Sequence, residues 1–108
     1  MELVSLKKKE EQSIRISLGG SVYKTRIYAF RGLMYIDISR NNGYIVTGKR
    51  IMANQWLLPH YVVDSGGNFR FETYQADADD YVWYDGFNTK FRLTSYRTDE
   101  LAAMEGGD

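Results

Sequence analysis

The chain has 108 residues, 44% of them hydrophobic and 26% charged, and its 14 basic side chains balance its 14 acidic ones. One domain is all that this length supplies. Zero net charge argues against a general nucleic-acid binder, which carries a basic excess. No apolar run reaches the roughly 18 residues that a membrane-spanning helix needs. Cysteine is absent, which excludes disulfides, thiol catalysis and thiolate zinc sites. No apolar stretch follows the N-terminal charges, so no signal peptide is expected. Aromatic residues reach 15%, and such side chains suit pleated, half-buried surfaces.

Residues 1–12 hold Lys7-Lys8-Lys9 and then Glu10-Glu11, and are expected to form a charged arm. Residues 13–18 alternate, with Ile14, Ile16 and Leu18 on one face, the period-two pattern of a half-buried strand. Gly19-Gly20 permits a tight hairpin. In residues 21–30, Tyr23, Thr25, Ile27 and Ala29 share a face, while Lys24 and Arg26 lie on the other. Arg31-Gly32 is the next turn. Residues 33–39 place Met34, Ile36 and Ile38 inward and Asp37 outward. Asn41-Asn42-Gly43 is the clearest hairpin signal in the chain. Residues 44–46 return, and Thr47-Gly48 bends them. Trp56-Leu57-Leu58 precedes Pro59, the single proline, which predicts a strand edge or a loop over the core. Residues 64–68 read as a turn and 69–74 as a strand with Phe69, Phe71 and Thr73 on one side. A polar stretch then leads to Tyr81-Val82-Trp83-Tyr84, the turn Asp85-Gly86, and a last strand at 91–96. Thr98 is expected to cap a short helix with acids in its first turn.

The count is about six or seven short strands separated by regular turns. It predicts an all-β fold, a small antiparallel barrel or sandwich over residues 13–97, with a short helical or disordered tail over 98–108. Charge is uneven along the chain. Residues 1–54 hold ten basic and four acidic side chains, a net of +6, and residues 55–108 hold four and ten, a net of −6. If the two halves occupy different faces, copies can associate head to tail.

Chemistry is hard to find. The single histidine, His60, has no serine on a Gly-x-Ser-x-Gly elbow to serve, because Tyr23 stands where Gly19-Gly20-Ser21-Val22 would need glycine. Counted as a calcium loop from Asp77, the chain places Tyr81, Val82 and Asn88 where an oxygen ligand, glycine and glutamate belong. Asp77, Asp79, Asp80 and Asp85 therefore read as a solvated acidic loop. Gly43 and Gly48-Lys49 have phosphate-loop spacing, but Arg50 replaces the required Ser or Thr. No catalytic residue, metal or cofactor is assigned. The aromatic run at 81–84 sits beside acids, as interface hot spots and sugar platforms do. The candidate interface residues are Lys7, Lys8, Lys9, Lys24, Arg26, Asp79, Asp80, Tyr81, Trp83 and Tyr84. A carbohydrate- or peptide-binding β module using Tyr81, Trp83 and Tyr84 is the alternative reading.

The order of these features carries a family resemblance. Ile14 through Leu18 with Gly19-Gly20 and Tyr23, then Met34-Tyr35-Ile36-Asp37-Ile38-Ser39 with Asn41-Asn42-Gly43, then Ile45-Val46-Thr47-Gly48-Lys49-Arg50-Ile51, Leu57-Leu58-Pro59-His60-Tyr61, Gly66-Gly67-Asn68-Phe69, Asp85-Gly86-Phe87 and Phe91-Arg92-Leu93-Thr94-Ser95-Tyr96 follow one another. This series resembles the small baseplate plug proteins of contractile-tailed phages, first recognised in cyanophages, over roughly residues 13–96. It departs from that pattern at Met34, Arg40 and Phe87. The resemblance implies a non-enzymatic structural protein of the virion, made in the host cytoplasm and placed in the tail baseplate. The implied partners are tube, hub or wedge proteins and further copies of the chain, as a trimer or hexamer, with no nucleic acid and no membrane span.

Overall fold

The computed structural model describes residues 1–41, 43–58, 67–74 and 82–106, with side chains described through Met104. Seven strands and one helix follow in chain order: β1 (Glu2–Val4), β2 (Glu11–Leu18), β3 (Ser21–Phe30), β4 (Leu33–Arg40), β5 (Gly43–Arg50), β6 (Gly67–Thr73), β7 (Phe91–Arg97) and α1 (Thr98–Gly106). They form two antiparallel sheets, one ordered β2-β3-β4-β5 and the other β1-β7-β6. The sheets face each other as a sandwich and do not close into a barrel.

The four-stranded sheet is a run of hairpins. Leu18 pairs with Ser21, Phe30 with Leu33 and Arg40 with Gly43, so each connection spans two residues. Gly19 and Gly20, and likewise Arg31 and Gly32, all have positive φ, the conformation whose twist matches flanking strands. Asn41 also has positive φ; Asn42 lies outside the described residues. The bend foreseen at Thr47-Gly48 is a bulge: β5 slips its register on β4 between Ile36 and Ile38, and Gly48 has φ +61.

The core lies between the sheets. Ile16, Leu18, Tyr23, Ile27, Met34, Ile36 and Ile38 from one sheet meet Phe69, Phe71, Phe91 and Leu93 from the other. Tyr23 and Phe69 are both fully buried and touch edge to face at 5.9 Å. The Tyr23 hydroxyl accepts a hydrogen bond from Arg40 Nη1 at 3.2 Å, so the buried ring keeps a polar outlet. No described helix is long and apolar enough to cross a membrane.

Four local expectations are corrected. The N-terminal residues do not hang free: β1 pairs with β7, Leu6 enters the core, and Glu11-Gln12 begin β2. Three residues are too few to show a period, and their pairing depends on a strand about ninety positions away. Gly67 and Asn68 belong to β6, not to a turn. Asn68 is buried, and its side chain accepts from the Leu58 N–H at 2.9 Å and donates to the Leu58 carbonyl at 3.2 Å. It thereby extends the sheet towards residues 54–57, whose Asn54 and Leu57 N–H groups donate to β6. The alternation of large side chains at 81–84 makes no strand among its described residues 82–84, and the turn expected at Asp85-Gly86 is a 3-10 turn, Tyr84–Gly86, closed by the Gly86 N–H donating to the Trp83 carbonyl. Thr98 lies inside α1, and the helix start is closed from Arg97, whose N–H donates to Glu100 Oε1 at 2.9 Å.

α1 packs back onto β6 and β7. On the face of β6 turned away from the core, Glu72 sits only 4% exposed. It accepts from Tyr96 Oη at 2.5 Å, Arg70 Nε at 2.6 Å and Arg92 Nε at 3.1 Å. Burial by itself pushes the Glu72 carboxyl upward. The Tyr96 hydroxyl and the two guanidiniums outweigh it and hold the group below its ordinary value.

Two predictions follow from this packing. Gly67 has φ +140, and a Cβ there would collide with the Tyr96 carbonyl oxygen. Gly67→Ala should lower stability in a urea titration by about 3 kcal/mol. Gly20→Ala, in open space at φ +84, should lower it by about 1 kcal/mol. The second concerns pH. A depressed carboxyl contributes stability that is complete above its unfolded value and is lost as pH falls through the folded one. Thermal melts of the wild type should therefore drop below about pH 4. Glu72→Gln should flatten that drop and cost about 2–3 kcal/mol at pH 7, because two guanidiniums lose their counter-charge.

Candidate functional site

The four-stranded sheet is drawn wholly from residues 11–50, inside the basic half of the sequence. Strand alternation sends its apolar row to the core and the other row outward. No described helix or strand packs over that outer face. Cross-strand register arranges it in ribbons. Glu11, Tyr28, Tyr35 and Arg50 form one ribbon. Ser13, Arg26 and Asp37 form the next. Arg15, Lys24, Ser39 and Tyr44 form a third.

The middle of the face is internally satisfied. Arg26 Nε donates to Glu11 at 2.7 Å, its Nη1 lies 3.7 Å from Asp37, and its guanidinium sits 4.4 Å over the Tyr28 ring. The hydrogen bond to Glu11 raises the Arg26 pKa. Burial first, then Asp37, raises the Tyr28 hydroxyl, which donates to Asp37 at 3.3 Å. Asp37 also accepts the Gly48 N–H of the bulge at 2.7 Å. Tyr28 and Tyr35 stack at 5.8 Å.

The third ribbon is different. Arg15 and Lys24 stand directly opposite each other, and neither forms an ion pair with a described residue. Like charges opposed across a ladder are destabilising. An open depression of about 440 Å³ lies beside them, with Asp37, Ser39 and Tyr44 on its wall. Tyr44 is 74% exposed, and Phe30 and Val22 on the same face are 55% and 47% exposed. Cationic and aromatic side chains left in water on a rigid sheet are what protein interfaces use at their centres.

The predicted residues fall into three places. Lys24 and Arg26 lie on this face. Lys7, Lys8 and Lys9 lie in the exposed loop before β2, whose fold is held by Gln12: its side chain accepts the Lys7 N–H at 2.9 Å and donates to the Lys7 carbonyl at 2.6 Å. The same loop meets the late aromatics, because Tyr84 Oη donates to Glu10 at 3.3 Å. Trp83 and Tyr84 pack on each other at 5.0 Å and lean on the core, half-buried. Asp79, Asp80 and Tyr81 lie outside the described residues. Sequence reading missed Arg15, Val22, Phe30 and Tyr44. Arg15, Val22 and Phe30 carried a signal, their outward place in the alternation of β2 and β3. No group of three or more His, Asp or Glu side chains among the described residues is placed to hold a metal ion.

No curated protein matches the chain. A family model described as the cyanophage baseplate Pam3 plug gp18 matches residues 1–97. It takes in β1 to β7, including the N-terminal strand that the resemblance left out, and stops at the start of α1. The two-sheet domain with its uncovered outer face therefore belongs to the cyanophage baseplate plug family, structural components of phage.

Proposed function

We propose that this protein acts in the tail baseplate by protein–protein contact, using the outer face of the four-stranded sheet as its main docking surface. The observation that carries this reading is the third ribbon. Arg15 and Lys24 repel each other across the ladder, and exposed Tyr44 adjoins them. A neighbour bringing a carboxylate to that pair removes the repulsion and buries the aromatic edge at once. The Lys7–Lys9 loop, with Trp83 and Tyr84 beside it, forms a second contact zone at the sheet's end. The partners are other baseplate chains and further copies of the protein, as a trimer or hexamer around the tail axis, and the protein has no catalytic role. The +6 and −6 halves of the sequence favour contact between copies, because β2 to β5 gather the basic half into one sheet.

Arg15→Glu separates stability from assembly. It converts a like-charge pair into an opposite-charge pair, so the isolated domain should gain about 0.2–1 kcal/mol in a urea titration. Incorporation of that variant into baseplates, measured by quantitative immunoblotting of purified particles, should fall at least severalfold. Incorporation at the wild-type level would remove this face from the interface.

A further inference from the structure

Among the described residues, the cluster around Glu72 holds one more positive than negative charge. On the four-stranded sheet one guanidinium, Arg26, faces two carboxylates, Glu11 and Asp37. Around Glu72 the ratio is reversed: Arg70 and Arg92 share one carboxylate. Both reach it through Nε, so each contact engages one of a guanidinium's five N–H donors. A planar guanidinium bound along its Nε edge still has its end edge, where each terminal nitrogen directs one N–H outward.

Both forks are held in place. Arg70 lies 4.3 Å over the Trp56 ring and 5.4 Å from the Tyr96 ring, and Trp56 and Tyr96 meet edge to face at 5.5 Å. Arg92 lies 5.2 Å over the Tyr74 ring. Aromatic contact covers the faces of a guanidinium and leaves its edge for in-plane hydrogen bonds. The side chains remain 22% and 32% exposed. They line an open depression of about 500 Å³ together with Asn54, Thr73 and Tyr74.

We infer that this depression is a carboxylate-binding site, occupied by an Asp or Glu side chain of a neighbouring baseplate chain. Two fixed guanidinium forks beside one neutralised carboxylate leave a surplus of one positive charge, which suits a monoanion accepting in-plane hydrogen bonds. Phosphate backbones are held by larger basic excesses. The site lies on the sheet opposite the docking face described above. It rests on the reading that the protein works through protein contacts, and it gives a single chain two separate faces for neighbours.

The test uses the isolated protein, so its failure is separable from a failure of baseplate incorporation. The Nε–Hε signals of Arg70 and Arg92 are followed by NMR while a hexaglutamate peptide is added at constant ionic strength. Hexalysine, sodium acetate and inorganic phosphate serve as comparisons. Saturable shifts confined to these arginines and their neighbours are expected with hexaglutamate and not with hexalysine. Arg92→Gln should weaken binding by about tenfold or more with the backbone spectrum preserved. Arg92→Lys, which keeps the charge on Glu72 but loses the fork, should also weaken it, and Arg31→Gln should not. The site is overturned if no saturable shift occurs or if Arg92→Gln binds as the wild type does. Acetate binding equal to the peptide's, per carboxylate, overturns a protein side chain as occupant. Tighter binding of phosphate overturns the preference for carboxylate.

Discussion

The whole structure depends on one contact between sheets, the burial of the inward row of β2 to β5 beneath Phe69, Phe71, Phe91 and Leu93. A lone four-stranded hairpin sheet would leave Ile16, Ile27, Ile36 and Ile38 in water. At roughly 25 cal/mol for each Å² of apolar surface, no hydrogen-bonded ladder makes up for that exposure. Covering the row needs a second sheet, and its strands come from both ends of the chain. β1 is therefore recruited from the N-terminus to complete a sheet otherwise made of β6 and β7. The Asn68 side chain, bonded both ways to Leu58, and the N–H groups of Asn54 and Leu57 tie the preceding segment to the open edge of β6. That cover suppresses the pairing with foreign strands that a bare edge invites.

Once the inner faces are joined, the two outer faces follow different rules. On the outer face of the three-stranded sheet Trp56 and Tyr96 pack around Arg70, and the buried Glu72 carboxylate beside them must be neutralised by hydrogen bonds and positive charge. The four-stranded sheet stays open to water, where exposed ion pairs such as Arg26 with Glu11 contribute little to stability. The opposed Arg15 and Lys24 are tolerable there for the same reason: solvent screens them. The docking role proposed for this face is compatible with such a pair, because the pair costs the isolated fold little.

The hairpin half of the fold was legible because its signals are local. The inward sets of β2, β3 and β4 alternate strictly, and the turns at 19–20, 31–32 and 41–43 carry the residues that tolerate positive φ. The second half was less legible because its signals are not local. Asn68 looks like a turn residue until Leu58 is placed beside it. Trp83 and Tyr84 look like a strand until the 3-10 turn forms around Gly86. The candidate face was half visible, with Lys24 and Arg26 found and Tyr44 missed. Tyr44 follows an Asn-Gly turn at the start of a bulged strand, and a slip in register changes which face a side chain occupies.

By itself, then, the sequence determined the all-β class, the hairpin order of the first four strands, the absence of thiol chemistry and the family to which the pattern of strands and turns belongs. Those properties depend on residue type and on spacing within one strand or turn. The tertiary structure alone decided that the sheets form a sandwich, that the N-terminus is a strand, and that Arg70, Arg92 and Tyr96 converge on Glu72. These depend on which distant strands become neighbours. That choice is made by the summed burial of two faces, a quantity that no single window of sequence contains.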